Sequence, residues 1–175
     1  MGVEIERKFT VKELPVDLEK YPFHEIEQAY LNVNPAIRVR RQDDIYYMTY
    51  KCKDPSLYSG DNIGQTEYNM PLNRESYEHL KAKADGNIIT KKRYLIPLNE
   101  DAFDAEFEKA GVNLDRGTMK IELDVFEGVF EGRVLAEVEF PSEEAAKAYK
   151  AADWFDEDVT GDIKYSNSQM SREKI

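Results

Sequence analysis

Residues 120–140 read KIELDVFEGVFEGRVLAEVEF and contain two segments in which acidic and apolar side chains alternate. The segment IELDVF places Glu122 and Asp124 between apolar residues, and LAEVEF does the same with Glu137 and Glu139. A period of two is typical of a β-strand, because successive side chains point to opposite faces. The glycines between the segments indicate a turn. This stretch therefore predicts two antiparallel strands, each with one apolar and one acidic face.

The same period recurs along the whole chain. Eight segments alternate in this way or are rich in Val, Ile, Tyr and Phe: 3–11, 25–33, 36–41, 45–53, 64–72, 88–97, 118–126 and 134–140. Turn residues separate several of them: Asp43-Asp44, Ser59-Gly60-Asp61-Asn62, Gly86-Asn87 and Gly128. Three segments are predicted to be helical from their N-cap residues: 74–84 after Asn73, 102–110 after Asp101 with Gly111 as its stop, and 143–152 after Ser142. We expect an α+β fold, with an antiparallel sheet or barrel and a few helices outside.

Length and composition limit the classes of protein that this chain can belong to. It has 175 residues, 41% of them hydrophobic, which is typical of one globular domain over 1–175 and excludes a disordered chain. The single cysteine excludes an intrachain disulfide framework, and the charged N-terminal segment is unlike a signal peptide. We therefore expect a soluble cytoplasmic protein without a membrane partner. A net charge of −11 argues against specific nucleic-acid binding.

Charged side chains occupy one face of nearly every predicted strand, and each strand carries mostly one sign. The acidic or basic positions are Glu4, Glu6 and Lys8; Arg38 and Arg40; Lys51 and Lys53; Glu67; Lys91 and Arg93; Glu122 and Asp124; Glu137 and Glu139. Each pair by itself is most simply a solvated face. Like charges on one pleated face repel, however, so their recurrence indicates that something binds between them. If the faces point into a barrel, a divalent metal together with a polyphosphate would satisfy both signs.

The sequence motifs that are present and absent limit the possible functions further. The chain has no GxxxxGK[ST] loop, no GxGxxG and no GxSxG, which excludes the common nucleotide-binding and serine hydrolase signatures. The N-terminal EIERKF instead has the ExExK pattern formed by Glu4, Glu6 and Lys8, and it resembles the CYTH family, also called triphosphate tunnel metalloenzymes. The resemblance continues in family order with IRVR, TYK, KKRY, IELDVF, LAEVEF and VTGDIKYSN.

The resemblance implies a fold, a cofactor and a set of site residues. It implies an eight-stranded closed antiparallel barrel, a tunnel that binds triphosphate together with Mg²⁺ or Mn²⁺. The residues expected to bind the triphosphate are Lys8, Arg38, Arg40, Lys51, Lys53, Arg93 and Lys164. The expected metal ligands are Glu4, Glu6, Glu67, Glu122, Asp124, Glu137 and Glu139. Catalytic roles are expected for Lys8, Glu4, Glu6 and Glu139.

Two departures from the family pattern bear on these expectations. Asn69 stands where the family often has an acid, so one tunnel carboxylate is missing. Residues 99–117 form an insert relative to compact members of the family, and we expect it to pack outside the barrel.

The favoured function is metal-dependent hydrolysis of a triphosphate, with inorganic tripolyphosphate as the expected main substrate and ATP and other nucleoside triphosphates as weaker substrates. The alternatives are a class IV adenylate cyclase, a thiamine triphosphatase and a non-catalytic polyphosphate or nucleotide sensor. The sequence leaves the oligomeric state open, with a homodimer as one candidate.

Overall fold

A computed structural model describes residues 2–53, 64–110 and 114–175. Its strands are β1 (Gly2–Val11), β2 (Phe23–Val33), β3 (Ala36–Gln42), β4 (Ile45–Cys52), β5 (Gly64–Leu72), β6 (Ile89–Pro97), β7 (Lys120–Glu127), β8 (Val134–Glu139) and β9 (Phe155–Asp158). Its helices are short: α1 (Arg74–Lys81), α2 (Ala105–Lys109), α3 (Glu143–Ala148) and α4 (Asn167–Met170). The predicted turn at Ser59–Asn62 and the predicted helix stop at Gly111 lie outside the described residues.

The first eight strands form a closed antiparallel barrel. Their order around the ring is β5-β4-β3-β2-β6-β7-β8-β1, and β1 closes the ring by pairing with β5. The eight predicted strands and the predicted fold class are therefore confirmed. The short strand β9, which the sequence did not predict, pairs with the end of β1 around Phe9 and Val11.

The outward faces of the strands carry two apolar clusters. The larger one joins Phe9, Leu123 and Val138 from the barrel to Tyr149 and the alanines of α3. The smaller one packs Ala29 and Val39 against Tyr77 of α1. Because the outward positions are apolar and covered by helices, the charged positions that alternate with them must point into the barrel.

One end of the barrel interior is filled by apolar side chains, which we call the apolar plug: Tyr30, Ile89, Phe126, Phe130, Leu135 and Met170. Ile89, Phe126 and Leu135 each lie two positions along a strand from an inward charge, namely Lys91, Asp124 and Glu137. Phe130 and Met170 are added by the β7–β8 connection and by α4. The inward faces thus change from charged to apolar along the barrel axis.

The helix predictions were right in place and wrong in extent. Asn73 caps α1 through a 2.7 Å hydrogen bond that its side chain accepts from the Ser76 amide, and Ser142 caps α3 in the same way. The helix α3 ends at Ala148 instead of residue 152, because the Tyr149 carbonyl accepts a hydrogen bond from Arg7 and the next amide donates to Ala102. In the part of the chain that the structure describes, no helix is long and apolar enough to cross a membrane.

The described part of the predicted insert, residues 99–110 and 114–117, packs against the outside of the barrel. Ala102 and Phe103 are buried in the larger apolar cluster, and the Phe103 and Phe107 rings stack at 5.6 Å. The helix predicted over 102–110 begins only at Ala105, after Asp104, because Ala102 and Phe103 pack in the larger apolar cluster.

The C-terminal segment closes onto the barrel through a close backbone contact at Gly86. Gly86 has a φ of +79°, and a Cβ at this position would lie 2.1 Å from the Ser171 carbonyl oxygen. The neighbouring Asn87 amide donates a 2.7 Å hydrogen bond to the same oxygen. A residue without a side chain is required here, since the positive φ and the close approach both exclude a Cβ.

Candidate active site

The barrel interior contains a cavity of about 470 Å³ whose walls carry charge of both signs. Most of the predicted site residues line it: Glu4, Glu6, Lys8, Arg38, Arg40, Lys51, Lys53, Glu67, Arg93 and Glu137. The C-terminal segment contributes a further part of the wall through Asp162, Ser166 and Gln169. Alternation along the strands accounts for this arrangement, because each inward position is two residues from the next.

Arg38 and Arg40 form the cationic part of the wall, on β3. They are only 6% and 7% exposed, and neither has a carboxylate within ion-pair distance among the described residues. Arg38 donates to the Tyr30 hydroxyl at 3.4 Å, and its Nε has no partner within the described ranges. Arg40 donates from Nε to Gln28 and from Nη1 to the Tyr47 hydroxyl, both neutral groups. Burial and the neighbouring Arg38 lower the pKa of Arg40.

Arg93 of β6 lies at the centre of a carboxylate cluster. Its Nε and Nη2 donate to both oxygens of Asp124, at 2.7 and 2.8 Å. Nη1 donates to Glu122, and Nη2 also donates to Glu137 at 2.6 Å. Burial opposes the charge on Arg93, but Asp124, Glu122 and Glu137 outweigh it and hold the Arg93 pKa well above its usual range.

Two of the lysines that line the cavity, Lys8 and Lys51, are paired with acids on other strands. The Lys8 ammonium lies 2.9 Å from Glu137 and donates to the Tyr165 carbonyl at 3.3 Å. Burial opposes ionisation of Glu137, yet Lys8 and Arg93 hold its pKa well below the usual range. Lys51 contacts Glu4 at 2.5 Å and lies 3.0 Å from Glu67.

At the end of the barrel interior away from the apolar plug three acids, Glu4, Glu6 and Glu139, form what we call the acidic mouth. Glu6 and Glu139 are register partners on β1 and β8, so their side chains project from adjacent positions. Burial, followed by the charges of Glu137 and Glu4, raises the pKa of Glu6 to about 7. Burial and the charge of Glu4 likewise raise the pKa of Glu139. Neither acid has an ion-pair partner among the described residues, although the charges of Lys51 and Lys8 partly oppose the rise in the pKa of Glu6.

Not all predicted site residues reach the cavity. Lys164 lies on an exposed turn, with its Nζ over the Tyr165 ring, and does not line the cavity. Asp124 and Glu122 contact the cavity only through Arg93. Glu139 lies at its rim and is exposed.

The structure adds interior residues to which the resemblance assigns no role. Lys91 is fully buried, donates to Asp124 at 2.5 Å and lies 3.5 Å from the Asn167 amide oxygen. Burial lowers the pKa of Lys91 to about 7, against the opposing charge of Asp124. The i, i+2 spacing of Lys91 and Arg93 is the signal in the sequence that places Lys91 on the same inward face as Arg93. Gln28 and Tyr30 share an inward face of β2 but carry no charge, so the charged pattern could not identify them.

The same arrangement bears on metal binding. No three acidic, histidine or cysteine side chains within 2–53, 64–110 and 114–175 are already gathered around one point suitable for a metal ion. Several of the predicted ligands are instead engaged by cations, as Glu137 is by Lys8 and Asp124 by Arg93. Of the acids expected to bind metal, Glu6 and Glu139 are without such a partner in the described part of the chain.

Comparison with known proteins identifies the family of this chain. The family model for the CYTH domain matches residues 2–168. This chain belongs to the CYTH domain family. The CYTH chain is 31% identical over 172 residues to an inorganic triphosphatase of Nitrosomonas europaea, covering 96% of both proteins. It is also 31% identical to an inorganic triphosphatase of Acetivibrio thermocellus, covering 97% of this chain and 94% of the other. A crystal structure of an inorganic triphosphatase superposes with a TM-score of 0.64 at 29% identity, covering 99% of this chain and 97% of the other.

Asn69, which stands where the resemblance predicts an acid, is hydrogen-bonded to two neighbouring side chains. The Asn69 amide donates to Glu67 at 2.7 Å, and its oxygen accepts from the Thr49 hydroxyl at 2.7 Å. Asn69 therefore holds the Glu67 carboxylate at the cavity wall, where it lies beside Lys51.

Proposed function

We propose that this protein hydrolyses triphosphates with the help of a divalent metal, and that inorganic tripolyphosphate is its main substrate, with nucleoside triphosphates such as ATP as weaker ones. The observation that carries the proposal is the pair of buried guanidinium groups, Arg38 and Arg40, which line the cavity without a carboxylate partner among the described residues. A buried charge without a counter-charge is costly, so such a pair is typical of a site that binds an anion. The relatives named inorganic triphosphatase support the choice of substrate.

The basic residues of the cavity would bind and orient the substrate. Arg38 and Arg40 would donate to phosphate oxygens from β3 and Lys51 from the neighbouring β4, while Lys8 and Arg93 would donate from β1 and β6. Lys53, exposed at the end of β4, would contact the outer part of the chain of phosphates. Because these donors are already in place, they would also stabilise the negative charge that develops on the phosphate oxygens in the transition state.

The acidic mouth has the chemistry to hold Mg²⁺ or Mn²⁺. Glu6 and Glu139 offer hard oxygen donors from adjacent strands, and the repulsion from neighbouring acids that raises the pKa of each is the kind that a divalent cation relieves. Mg²⁺ takes a few carboxylates plus substrate phosphates and water, so it does not need a complete cage of protein ligands. When bound, such an ion neutralises phosphate charge and lowers the pKa of a water molecule. Glu4, Glu6 and Glu139 would orient the water that attacks the terminal phosphorus, and Lys8 would stabilise the negative charge on the diphosphate that leaves.

The decisive test is phosphate release from tripolyphosphate, ATP, thiamine triphosphate and pyrophosphate, with cyclic AMP measured in the ATP reaction. We expect the fastest release from tripolyphosphate, slower release from ATP, and loss of both in EDTA. Cyclic AMP formation above phosphate release would show a cyclase instead. Preference for thiamine triphosphate would show a thiamine triphosphatase, and binding without any turnover would show a sensor.

The remaining expectations from the sequence become part of this proposal. We treat residues 1–175 as one CYTH domain that acts in the cytoplasm on a small triphosphate, without a membrane or a specific nucleic acid as partner. Gel filtration of the purified chain would measure its oligomeric state, for which a homodimer is the candidate to test.

A further inference from the structure

Asp124 differs from the other acids expected to bind metal, because both its carboxylate oxygens are already occupied. Oδ1 accepts from Arg93 Nε at 2.7 Å. Oδ2 accepts from Arg93 Nη2 at 2.8 Å and from Lys91 Nζ at 2.5 Å. The Asp124 side chain is 1% exposed, and that of Lys91 is fully buried. A metal ion could reach this carboxylate only by breaking charge-assisted hydrogen bonds to two buried cations.

Glu122, two residues earlier on the same inward face of β7, shows the contrast. Its side chain is 30% exposed, and it accepts one hydrogen bond, from Arg93. Asp124 lies deeper and does not line the cavity, whereas Arg93 does. Asp124 is therefore placed behind Arg93, next to the apolar plug, and not at a surface that a hydrated ion can reach.

The contacts of Arg93 show what Asp124 does from this position. A carboxylate that accepts from Nε and Nη2 together holds the plane of a guanidinium group, because the two parallel bonds allow one orientation. The four hydrogen bonds of Arg93 leave one of its five N–H groups, on Nη1, free of the partners described. With the group held from behind, that N–H lies on the edge of Arg93 away from Asp124.

We propose that Asp124 is a positioning residue and does not ligate the metal. Together with Lys91, which also donates to it, Asp124 holds Arg93 in the orientation needed to bind phosphate oxygens. This rests on the proposed function for the identity of the anion. Glu122, by contrast, can release Arg93 with little loss, since its carboxylate is partly exposed and makes one bond.

The test compares Asp124→Asn with Glu122→Gln in two titrations that need no turnover. The first measures the Kd for tripolyphosphate in EDTA by calorimetry, and the second measures the Kd for Mn²⁺ alone. We expect Asp124→Asn to weaken tripolyphosphate binding about tenfold, because Arg93 loses its hydrogen bonds to the Asp124 carboxylate and is no longer held in place. The affinity for Mn²⁺ should stay within about twofold of wild type. Glu122→Gln should change tripolyphosphate binding less than Asp124→Asn does.

Two results would overturn the proposal. One is an increase in the tripolyphosphate Kd of Asp124→Asn smaller than about threefold, and the other is a loss of Mn²⁺ affinity of about tenfold or more. A wild type that does not bind tripolyphosphate in EDTA would overturn it as well. Wild-type binding without phosphate release would instead contradict only the proposed hydrolase function.

A second variant covers the case in which Asp124→Asn does not fold. Lys91→Met combined with Asp124→Asn removes one buried positive charge together with the negative one, so no lysine is left unpaired. The same expectations apply to this double variant, with Lys91→Met alone as its reference. Circular dichroism confirms the fold of each variant before the titrations.

Discussion

The acidic mouth and the charged residues beside the apolar plug, which we call the floor, differ in whether their charges are paired. At the floor, Lys91 and Arg93 both donate hydrogen bonds to Asp124, beside the apolar plug. At the mouth, Glu6 and Glu139 project side by side without a cation between them. The floor therefore stabilises the fold and fixes the geometry of the site, whereas the mouth lowers stability and leaves charge available for a ligand.

The largest expected effect lies at the floor. Phe126→Ala should lower the free energy of unfolding by about 3–5 kcal/mol, because it opens a cavity in the apolar plug beneath Lys91. Urea denaturation followed by circular dichroism measures this loss. Phe23→Ala is the matched control, since its ring is 44% exposed. A loss for Phe126→Ala no larger than that of the control would contradict the assignment of the plug.

The next effect is stabilisation by ligand at the mouth and the cationic wall. A ligand at about 100 times its Kd adds roughly 2.7 kcal/mol to the stability of the folded state. We expect Mg²⁺ with tripolyphosphate to raise the melting temperature of wild type accordingly, and to raise that of Glu139→Gln much less. Differential scanning fluorimetry with and without the ligand pair measures both shifts. Equal shifts for the two proteins would remove Glu139 from the site.

A third prediction separates the two faces of β3. Arg40→Ala should lower kcat/KM for tripolyphosphate at least about tenfold, which corresponds to about 1.4 kcal/mol. The neighbouring Arg41 points outward, where it donates to the Asp43 carbonyl at 3.5 Å, so Arg41→Ala should stay within about twofold of wild type. Steady-state phosphate release gives both values. Similar losses for both variants would mean that the inward face is assigned wrongly.

The smallest effect is a gain in stability. Glu139→Gln should raise the free energy of unfolding in EDTA by about 0.5–2 kcal/mol while it lowers activity, because it removes one of several like charges at the mouth. Glu131→Gln makes the same change in net charge at an exposed turn and should have little effect. Chemical denaturation of the two metal-free variants compares them. If Glu139→Gln is less stable than wild type, Glu139 is a structural partner of a buried cation.

Much of the candidate site could be predicted from the period of two. Because one face of each strand is apolar, the position of Leu123 already implies that Glu122 and Asp124 point the other way. The same reasoning places Arg38 and Arg40 on one face. The predicted helix ends were less accurate, because contacts with distant residues decide them, as Arg7 does at Tyr149.

The sequence alone did not predict which charged side chains form ion pairs with one another, nor which of them remain unpaired among the described residues. Lys51 and Glu4 are 47 residues apart, and they meet because β1 closes the ring against β5. Arg93 and Glu137, 44 residues apart, are joined across β7. Such contacts depend on strand order and register, which local patterns do not contain.

By itself the sequence determined the eight strands, their charged inward faces and the resemblance to the CYTH family, because these depend on residue type and spacing along the chain. The tertiary structure alone decided that Asp124 is enclosed by Lys91 and Arg93 while Glu139 is exposed at the rim. The physical reason is desolvation. The apolar plug excludes water from one end of the barrel, so that an acid there must pair with cations, whereas an acid at the open end can remain unpaired.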